Sequence, residues 1–535
     1  MQIRHLVAAM MLALGLSAEA QAAGTLVVCT EASPDALNAQ LSTANTSFDV
    51  TEQTSDRLVE METGSSKIVP GLAESWTVSE DGLRYTFKLR HGVKWQSNAG
   101  FKPSRDFNAD DVVFSFRRMT DEQNPFYKVA NGSFPMFTGL LGEPFKSISK
   151  TADDTVVFEL KHPFAPFLST LTVQSMSILS AEYAAQLEKA GTVSDIDSKP
   201  IGTGPFALVQ YQKDALVRFR AFPEFWGNKT GSDRAAKVDN LIFTIAPDAS
   251  VRLAKLQANE CQIARYPNPA DLPTARSNPD LVVQDSTISA INYIRFQISK
   301  PPLNNKRVRE ALAEAIDLDN LVKVVYQDTG KPTAAMIPPT LWGHNASVAP
   351  RKYDPQAARK LLAEAGFPNG FSLDLWAIPV VRSYMPNGRR AAEMIQANWA
   401  DIGVKANIVS YEWGEYIKRA RRGEGDAVML GGTWDYPDPS QQMLGFTCEA
   451  IKPGGSNYSN WCNKAYSDAV NKANLVTDQG KRAELYIAAQ QAFHDDVPAV
   501  LFADVKASVI ARKTVSGFKL HSLGGQPFGG VSVEK

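Results

Sequence analysis

The residues that follow a short apolar run at 427–430 have side chains suited to binding a positively charged small molecule. In order, they are Gly431, Gly432, Thr433, Trp434 and Asp435. Glycine allows another molecule to approach the backbone closely, and the prolines at 437 and 439 prevent a strand from continuing. The pattern predicts a buried strand that ends at the two glycines and presents an aromatic ring and a carboxylate in a loop. An ordinary turn is the alternative, because Asp and Pro are common turn residues.

Length and composition exclude several classes of protein. With 535 residues the chain is too long for one hydrophobic core, so two or more lobes are expected. Its 44% hydrophobic and 21% charged residues are typical of a soluble globular protein. The 56 basic and 57 acidic side chains nearly cancel, which argues against nucleic acid or an anionic membrane as a partner. Any charge selectivity must therefore come from a local site.

The N-terminus has the features of a secretory signal peptide. Two basic residues, Arg4 and His5, precede an apolar run at 6–16, and small-residue cleavage patterns follow at 18–22. The apolar run is too short to span a bilayer. We expect residues 1–23 to be removed and the mature chain to be exported to the periplasm. A lipid anchor is not expected, because Cys29 lies inside a strand-like run instead of directly after the apolar segment.

Four cysteines indicate two disulfides in an exported chain. They are Cys29, Cys261, Cys448 and Cys462. Three pairings are possible, and the spacing does not choose among them, although the last two cysteines are close in sequence. A zinc site is the alternative, but the sequence has no C-x-x-C motif and no histidine pair near a cysteine. The sequence therefore favours disulfides, and no metal site is predicted.

Hydrophobic periodicity predicts a mixture of strands and helices. Apolar residues alternate with polar ones at 83–89 and 156–160, as in half-buried strands. Asn108 and Asp354 are placed to cap helices, and the second is followed by a proline at the first helical position. In the second half of the chain strands alternate with longer helices, which predicts an α/β lobe. The polar stretch 37–54 is typical of a loop.

Motifs typical of enzymes are absent from the sequence. There is no G-x-S-x-G nucleophile elbow, no H-E-x-x-H zinc motif and no G-x-x-x-x-G-K phosphate loop. Gly202 and Gly204 resemble part of a dinucleotide-binding fingerprint, but the residues after them predict a strand instead of a helix. We therefore predict that the protein is not an enzyme. An exported peptide hydrolase is the alternative from that class.

Several runs of sequence resemble one known family along nearly the whole chain. They are Gly71-Leu72-Ala73-Glu74-Ser75-Trp76, Tyr85-Thr86-Phe87-Lys88-Leu89-Arg90, Gly92-Val93-Lys94-Trp95, Asn108-Ala109-Asp110-Asp111-Val112, Pro200-Ile201-Gly202-Thr203-Gly204-Pro205-Phe206, Ile337-Pro338-Pro339-Thr340 and Tyr411-Glu412-Trp413-Gly414-Glu415-Tyr416. On these runs the chain is similar to family 5 of the extracellular solute-binding proteins, which serve ABC importers of peptides. Within that family it resembles the members that bind dipeptides.

The resemblance implies an α/β fold of two lobes. It is the type II periplasmic binding protein fold, in the large peptide-binding subgroup that has an extra subdomain in lobe I. Lobe I would comprise residues 24–287 and 506–535, and lobe II residues 288–505, with two connecting segments acting as a hinge. The resemblance also implies the disulfide pairs Cys29–Cys261 and Cys448–Cys462.

In the dipeptide-binding members an aspartate binds the α-ammonium of the ligand and an arginine binds its carboxylate. The matching residues in this chain are Asp435 and Arg382. A dipeptide is a zwitterion, and burying its charges is unfavourable unless each one is paired. Arginine offers a planar fork to a carboxylate, whereas Asp accepts hydrogen bonds from an ammonium. A solvated loop arginine is the alternative for Arg382.

Further residues are predicted to contact the ligand. Tyr384 and Trp434 are candidates for the walls of the pocket, although buried aromatic residues commonly belong to a core. Backbone groups near Thr43 and Gly431 are predicted to pair with the peptide bond of the ligand, as in strand addition. Thr433 completes the predicted ligand-binding set.

Two residues near these positions differ from the family pattern. Gly432 stands where the family often has Trp, and Ser383 stands where the dipeptide-binding members have Pro. The two charged anchors are unaffected by these differences. The pocket for the side chains of the ligand is therefore expected to have a different shape.

The resemblance predicts a periplasmic substrate-binding protein that binds dipeptides or other short peptides. It would deliver them to the permease subunits of an ABC transporter in the inner membrane. We expect a monomer, with no cofactor and no nucleic-acid partner. The alternative is the same fold binding glutathione, longer oligopeptides or haem.

Overall fold

The computed structural model describes residues 24–452, 455–523 and 525–534 of the protein. The predicted signal peptide, residues 1–23, lies outside the described residues, as does Lys535. Among the helices of the described ranges, none has the length and apolar character needed to cross a bilayer.

The strands are numbered in chain order. They are β1 (Thr25–Thr30), β2 (Val59–Met61), β3 (Ile68–Pro70), β4 (Ala73–Val78), β5 (Arg84–Leu89), β6 (Phe145–Ala152), β7 (Thr155–Leu160), β8 (Phe206–Gln212), β9 (Leu216–Ala221), β10 (Asn240–Ile245), β11 (Ile263–Ala264), β12 (Leu281–Thr287), β13 (Ala290–Phe296), β14 (Gly330–Pro332), β15 (Ser372–Trp376), β16 (Lys405–Val409), β17 (Ala427–Thr433), β18 (Ala499–Leu501), β19 (Ala503–Arg512), β20 (Val515–Ser516) and β21 (Ser532–Val533).

The α-helices are numbered in the same way. They are α1 (Asn45–Thr51), α2 (Ala109–Thr120), α3 (Pro125–Val129), α4 (Pro135–Leu140), α5 (Phe167–Thr170), α6 (Ala181–Ala190), α7 (Asp195–Ser198), α8 (Gly227–Thr230), α9 (Ala249–Gln257), α10 (Leu272–Ser277), α11 (Lys306–Glu314), α12 (Leu318–Val325), α13 (Pro355–Glu364), α14 (Gly388–Asp401), α15 (Trp413–Arg421), α16 (Ser440–Met443), α17 (Lys464–Leu475) and α18 (Gln479–Asp496). Short 3₁₀ turns lie at Ala39–Leu41, Gln174–Met176, Pro269–Asp271, Gln327–Thr329, Leu444–Phe446 and Cys448–Ala450.

An eight-stranded sheet forms the centre of the first lobe. Its strand order is β12-β19-β11-β1-β10-β9-β8, with β14 paired to the start of β19. Strand β1 runs parallel to β10 and β11, and the other pairs are antiparallel. The parallel pairs place the carboxyl ends of β1, β10 and β11 at one edge of this sheet.

A four-stranded antiparallel sheet, β4-β5-β7-β6, forms an extra subdomain of the first lobe. Its alternating apolar side chains include Phe87 and Phe158, and the ring of Phe158 lies 4.8 Å from that of Phe116 on α2. Helix α2 begins where the sequence predicts it. Asn108 accepts a hydrogen bond from the first turn, and the side chain of Asp111 accepts one from the backbone of Asn108.

The second lobe is built on a five-stranded sheet with the order β16-β15-β17-β13-β18. Strand β15 is parallel to β16 and β17, whereas β13 is antiparallel to β17 and β18. Helix α14 packs on this sheet through Trp399, whose ring lies 6.4 Å from that of Phe296. The parallel strands end at Trp376, Val409 and Thr433, so the loops that follow them meet at one edge.

Two short segments connect the lobes. The first, Ile288 and Ser289, joins β12 to β13, and the second, Phe502, joins β18 to β19. The first segment lies beside the start of β19, because the backbone N–H of Ile288 donates to the carbonyl of Val505 over 2.9 Å. The two-lobed α/β fold is therefore as predicted. The predicted lobe boundary at 287/288 falls at the first segment, whereas the one at 505/506 lies inside β19. Both lobe boundaries stay predictions.

Both disulfides implied by the family resemblance are present. Cys29 in β1 pairs with Cys261 just before β11, with Cα atoms 5.9 Å apart. Cys448 pairs with Cys462, with Cα atoms 4.6 Å apart. Both distances lie in the normal range for a disulfide. The first bond therefore ties together parts of the first lobe that are 232 residues apart, and the second closes a short loop in the second lobe.

The prediction of a loop at 37–54 is wrong, because residues Asn45–Thr51 form helix α1. Ser, Thr, Asn and Asp have little intrinsic preference for helix, so the local sequence gives a weak signal. Tertiary contacts outweigh it. Asp49 is buried and forms an ion pair of 3.0 Å with Arg265, which follows β11. The hydroxyl of Thr51 donates to the carbonyl of Ser47 within the helix.

Candidate functional site

A cleft between the two lobes is lined by the loops at the carboxyl ends of the parallel strands. Its volume is about 770 Å³, which lies in the range of small-molecule sites. The first lobe contributes Glu31 after β1 and Tyr266 after β11. The second lobe contributes Arg382 after β15, Trp413 after β16 and Thr433 at the end of β17. Open α/β sheets bind ligands at this kind of edge, so the cleft is the candidate site.

Strand β17 continues through both glycines to Thr433, so the prediction that it ends at those glycines is wrong. Gly431 and Gly432 both pair with β13. A Cβ atom on Gly431 would clash with the carbonyl oxygen of Ile291 and would lie 2.6 Å from the ring of Tyr384. Glycine is therefore required at 431 because the Tyr384 ring packs directly on the strand. This ring in turn lines the cleft.

One edge of β17 is open next to the cleft. Strand β15 pairs with β17 only at Ala427 and Val428. Beyond that point, toward Gly432, the described residues supply no strand on this side of β17. Gly432 and Thr433 line the cleft beside it. An extended peptide can pair with an edge of this kind.

Asp435 follows β17 by two residues and adjoins the cleft without belonging to its lining. Its backbone N–H donates to Gln441 Oε1 over 2.8 Å, and Gln441 Nε2 donates back to Asp435 Oδ2 over 2.5 Å. Burial raises the pKa of Asp435 to about 6, and the hydrogen bond from Gln441 opposes that rise. Within the part of the chain that the structure describes, Oδ1 accepts no hydrogen bond and no cation pairs with the carboxylate. The carboxylate is therefore oriented and has acceptor capacity left for a ligand.

Arg382 lies on the loop after β15 and lines the cleft. Its guanidinium carbon is 4.6 Å from the centre of the Trp413 ring, a cation–π contact. Burial raises the pKa of Tyr384, and the nearby charge of Arg382 opposes that rise. Across the described residues no carboxylate lies within ion-pair distance of Arg382. Its charge is therefore held in place by aromatic rings and is available to an anion.

Two other predicted residues lie outside the lining of the cleft. Trp434 is 1% exposed and packs in an apolar cluster with Ile291, so its ring is part of a core in this structure. Thr43 is exposed, and its backbone N–H and hydroxyl both donate to Asp35 Oδ2, over 3.1 and 2.6 Å. Asn45, two residues further on, does line the cleft. The structure thus brings together Arg382, Tyr384 and Thr433, with Asp435 and Gly431 adjoining them.

The family described as “Bacterial extracellular solute-binding proteins, family 5 Middle” matches residues 67–453. The chain belongs to this family. A “Dipeptide-binding protein” of Escherichia coli (strain K12) is 48% identical over 533 residues, which is 98% of each chain. The structure of HbpA2 from Haemophilus parasuis matches with a TM-score of 0.90 and 39% identity, covering 96% of this chain and 100% of that one.

A further solved structure of this solute-binding family contains a ligand. It is the dipeptide binding protein from pseudoalteromonas sp. SM9913 in complex with Met-Leu, with a TM-score of 0.79 and 33% identity. The match covers 96% of this chain and 100% of that one. The predictions of the family and of the two-lobed fold are confirmed.

Several residues of this solute-binding protein's cleft were missed by reasoning from the sequence. Glu31, Tyr266 and Trp413 line the cleft, and Gln441 holds Asp435. Glu31 directly follows strand β1, Tyr266 lies two residues after β11, and Trp413 begins the helix after β16. Their position at the carboxyl ends of parallel strands is the signal that could have found them. Gln441 has no comparable signal, because a tight turn brings it back to Asp435.

Proposed function

We propose that the protein binds dipeptides, or peptides of similar length, in this cleft and delivers them to an ABC importer. One observation carries the proposal. The sheet of the second lobe places a guanidinium, Arg382, and a carboxylate, Asp435, after the neighbouring parallel strands β15 and β17. These are the two charges that a zwitterionic peptide needs for its ends. Relatives of nearly full length support it, since one is named a dipeptide-binding protein and another holds Met-Leu.

The spacing of the strands that carry Arg382 and Asp435 suits a short peptide. Neighbouring strands lie about 4.8 Å apart. A peptide of two residues spans at most about 7 Å when extended. Groups on the loops after adjacent strands can therefore reach both ends of a dipeptide at once. The open edge of β17 between them would pair with the peptide bond without regard to side-chain identity.

Binding would be completed by closure of the lobes about the two connecting segments, a motion typical of periplasmic binding proteins. Closure removes water from the cleft, which strengthens both ion pairs. We propose that the protein acts in the periplasm as a monomer and a transport component, and not as an enzyme. Its partners would be the permease subunits that accept the closed form. The family, whose members are extracellular solute-binding proteins, supports this placement.

Isothermal calorimetry with Ala-Leu tests the assignment through Asp435→Asn. The substitution should weaken binding by about tenfold or more, because removing one partner of a desolvated charge pair costs about 2–5 kcal/mol. Asp401→Asn is the matched control, since Asp401 is exposed at the end of α14. Equal affinity in the wild type and Asp435→Asn would contradict the assignment.

Native mass spectrometry of the protein as purified tests the class of ligand. Retained masses that match dipeptides would support the proposal. A retained mass of glutathione or haem would overturn the substrate while leaving the fold and family in place. Haem would also give a Soret band in the absorbance spectrum.

A further inference from the structure

The first lobe places a carboxylate at its edge of the cleft, as the second lobe does. Glu31 directly follows β1, the central parallel strand of the eight-stranded sheet, and it lines the cleft. Asp435 and Arg382 follow parallel strands of the other sheet. Under the proposed function, Asp435 binds the α-ammonium of the peptide and Arg382 binds its carboxylate. Glu31 is then a charged group at the cleft that pairs with neither end of the peptide.

The cations nearest Glu31, Arg252 and Arg265, donate their hydrogen bonds to other groups. Arg252 donates to the carbonyls of Ala246 and Pro247, over 2.6 and 2.8 Å. It also donates to the carbonyls of the two residues that follow β11, over 3.0 and 2.6 Å. Arg265 is paired with the buried Asp49, at 3.0 Å. In the ranges that the structure describes, Glu31 therefore has neither an ion pair nor a side-chain hydrogen bond. Burial raises its pKa, the charge of Arg252 opposes that rise, and the nearby Asp49 adds to it.

Apart from one lysine, the rest of the first lobe's wall is neutral. Lining residues from this wall are Asn45, Ala249, Tyr266, Asn268 and Leu272. Lys506, on β19 next to the connecting segment, is the other charged residue that this lobe contributes to the lining. Lys506 forms no ion pair with Glu31 among the described residues, so this carboxylate can accept a cation brought by the ligand. Lobe closure would strengthen such a contact by excluding water.

We infer that Glu31 is the specificity-determining residue of the first lobe and that it selects peptides with a cationic side chain, lysine or arginine, over neutral peptides of the same shape. This inference rests on the proposed function. The ammonium of a lysine side chain would pair with Glu31, while Asp435 and Arg382 bind the peptide's own termini. Peptides with neutral side chains would still bind through those termini and would leave Glu31 solvated.

Calorimetry with matched peptides tests the inference. Ala-Lys and Lys-Ala are compared with Ala-norleucine and norleucine-Ala, which have the same side-chain length without the charge, at one neutral pH. The wild type should bind at least one lysine peptide about tenfold or more tighter than its norleucine counterpart, the size expected for a charge pair in a water-excluded site. In Glu31→Gln the affinity for the lysine peptide should exceed that for its norleucine counterpart by about twofold or less. The affinities for the norleucine peptides should be the same as in the wild type.

Glu122→Gln is the matched control, because Glu122 is exposed and outside the cleft. An unchanged lysine-to-norleucine ratio in Glu31→Gln, or an equal loss for both kinds of peptide, would overturn the inference. The wild type alone also tests it: equal or tighter binding of the norleucine peptides overturns it even if Glu31→Gln fails to fold. If the norleucine peptides bind the wild type and bind Asp435→Asn more weakly, the proposed function stands whether or not the inference about Glu31 does. A wild type that binds none of these peptides would instead overturn the proposed function.

Discussion

Peptide binding should weaken in mild acid because the carboxyl group of Asp435 takes up a proton. Burial raises the pKa of this group to about 6, against the hydrogen bond from Gln441. A bound ammonium favours the ionised form and so lowers that pKa in the complex. By linkage, the affinity is fully present above the pKa of the free protein and is lost as the pH falls through it.

The size of the effect follows from the fraction of ionised sites. With a pKa of about 6, about nine-tenths of the Asp435 carboxyls are ionised at pH 7 and about one-tenth at pH 5. If only the ionised form binds the ammonium, the affinity falls about tenfold over this interval, which corresponds to about 1.4 kcal/mol. The loss should continue toward lower pH until the pKa of the complex is reached.

Calorimetry with Ala-Leu between about pH 5 and pH 7 measures this loss, because the two termini of the peptide stay charged throughout that range. Glu31 needs a control, since burial raises its pKa as well. The Glu31→Gln variant should keep the pH dependence, whereas Asp435→Asn should bind weakly with a nearly flat profile. A flat profile in the wild type, or the same tenfold loss in Asp435→Asn, would refute the reasoning.

Two substitutions at the walls of the cleft have further expected outcomes. Gly431→Ala should destabilise the protein by about 1–3 kcal/mol in denaturant unfolding, because its Cβ meets a carbonyl and the Tyr384 ring. Gly432→Ala is its control and should cost less, since its Cβ meets only the flexible end of Gln442. Trp413→Ala should weaken peptide binding about two- to fivefold in calorimetry by releasing Arg382, since an exposed cation–π contact contributes about 0.5–1 kcal/mol. Trp413→Phe should recover part of that loss, and an affinity equal to the wild type in Trp413→Ala would contradict this role.

Elements with local signals could be predicted from the sequence. Helix α2 begins at a capping box, and helix α13 begins with Asp354 and Pro355, so their predicted starting points are correct. The alternation along β5 and β7 also indicates the buried face of the four-stranded sheet, because the side-chain period of a strand is visible in a few residues. These elements are set by neighbours in the sequence.

Elements that depend on distant contacts could not be predicted in this way. Helix α1 is stabilised by the pairing of Asp49 with Arg265, 216 residues further along the chain. The local pattern predicts a strand end at Gly431, whereas this glycine admits the ring of Tyr384, which comes from the loop after another strand. Trp434 looks the same in sequence whether its ring lines a cleft or fills a core. In each case the partner that decides the outcome is brought near only by the fold.

The segment around Asp435 belongs to the second lobe but packs against the first, which affects how binding and closure are coupled. Trp434, before it, packs in an apolar cluster that includes Met61 and Leu523 of the first lobe. Tyr436, after it, is 3% exposed and packs in the core of the first lobe's extra subdomain. The residue proposed to bind the ammonium is therefore flanked by two side chains whose apolar clusters include residues of the opposite lobe. If the lobes close as proposed, these clusters would repack and the Asp435 carboxylate would shift with them. The affinity for the ammonium would then depend on closure even where the first lobe does not touch the ligand.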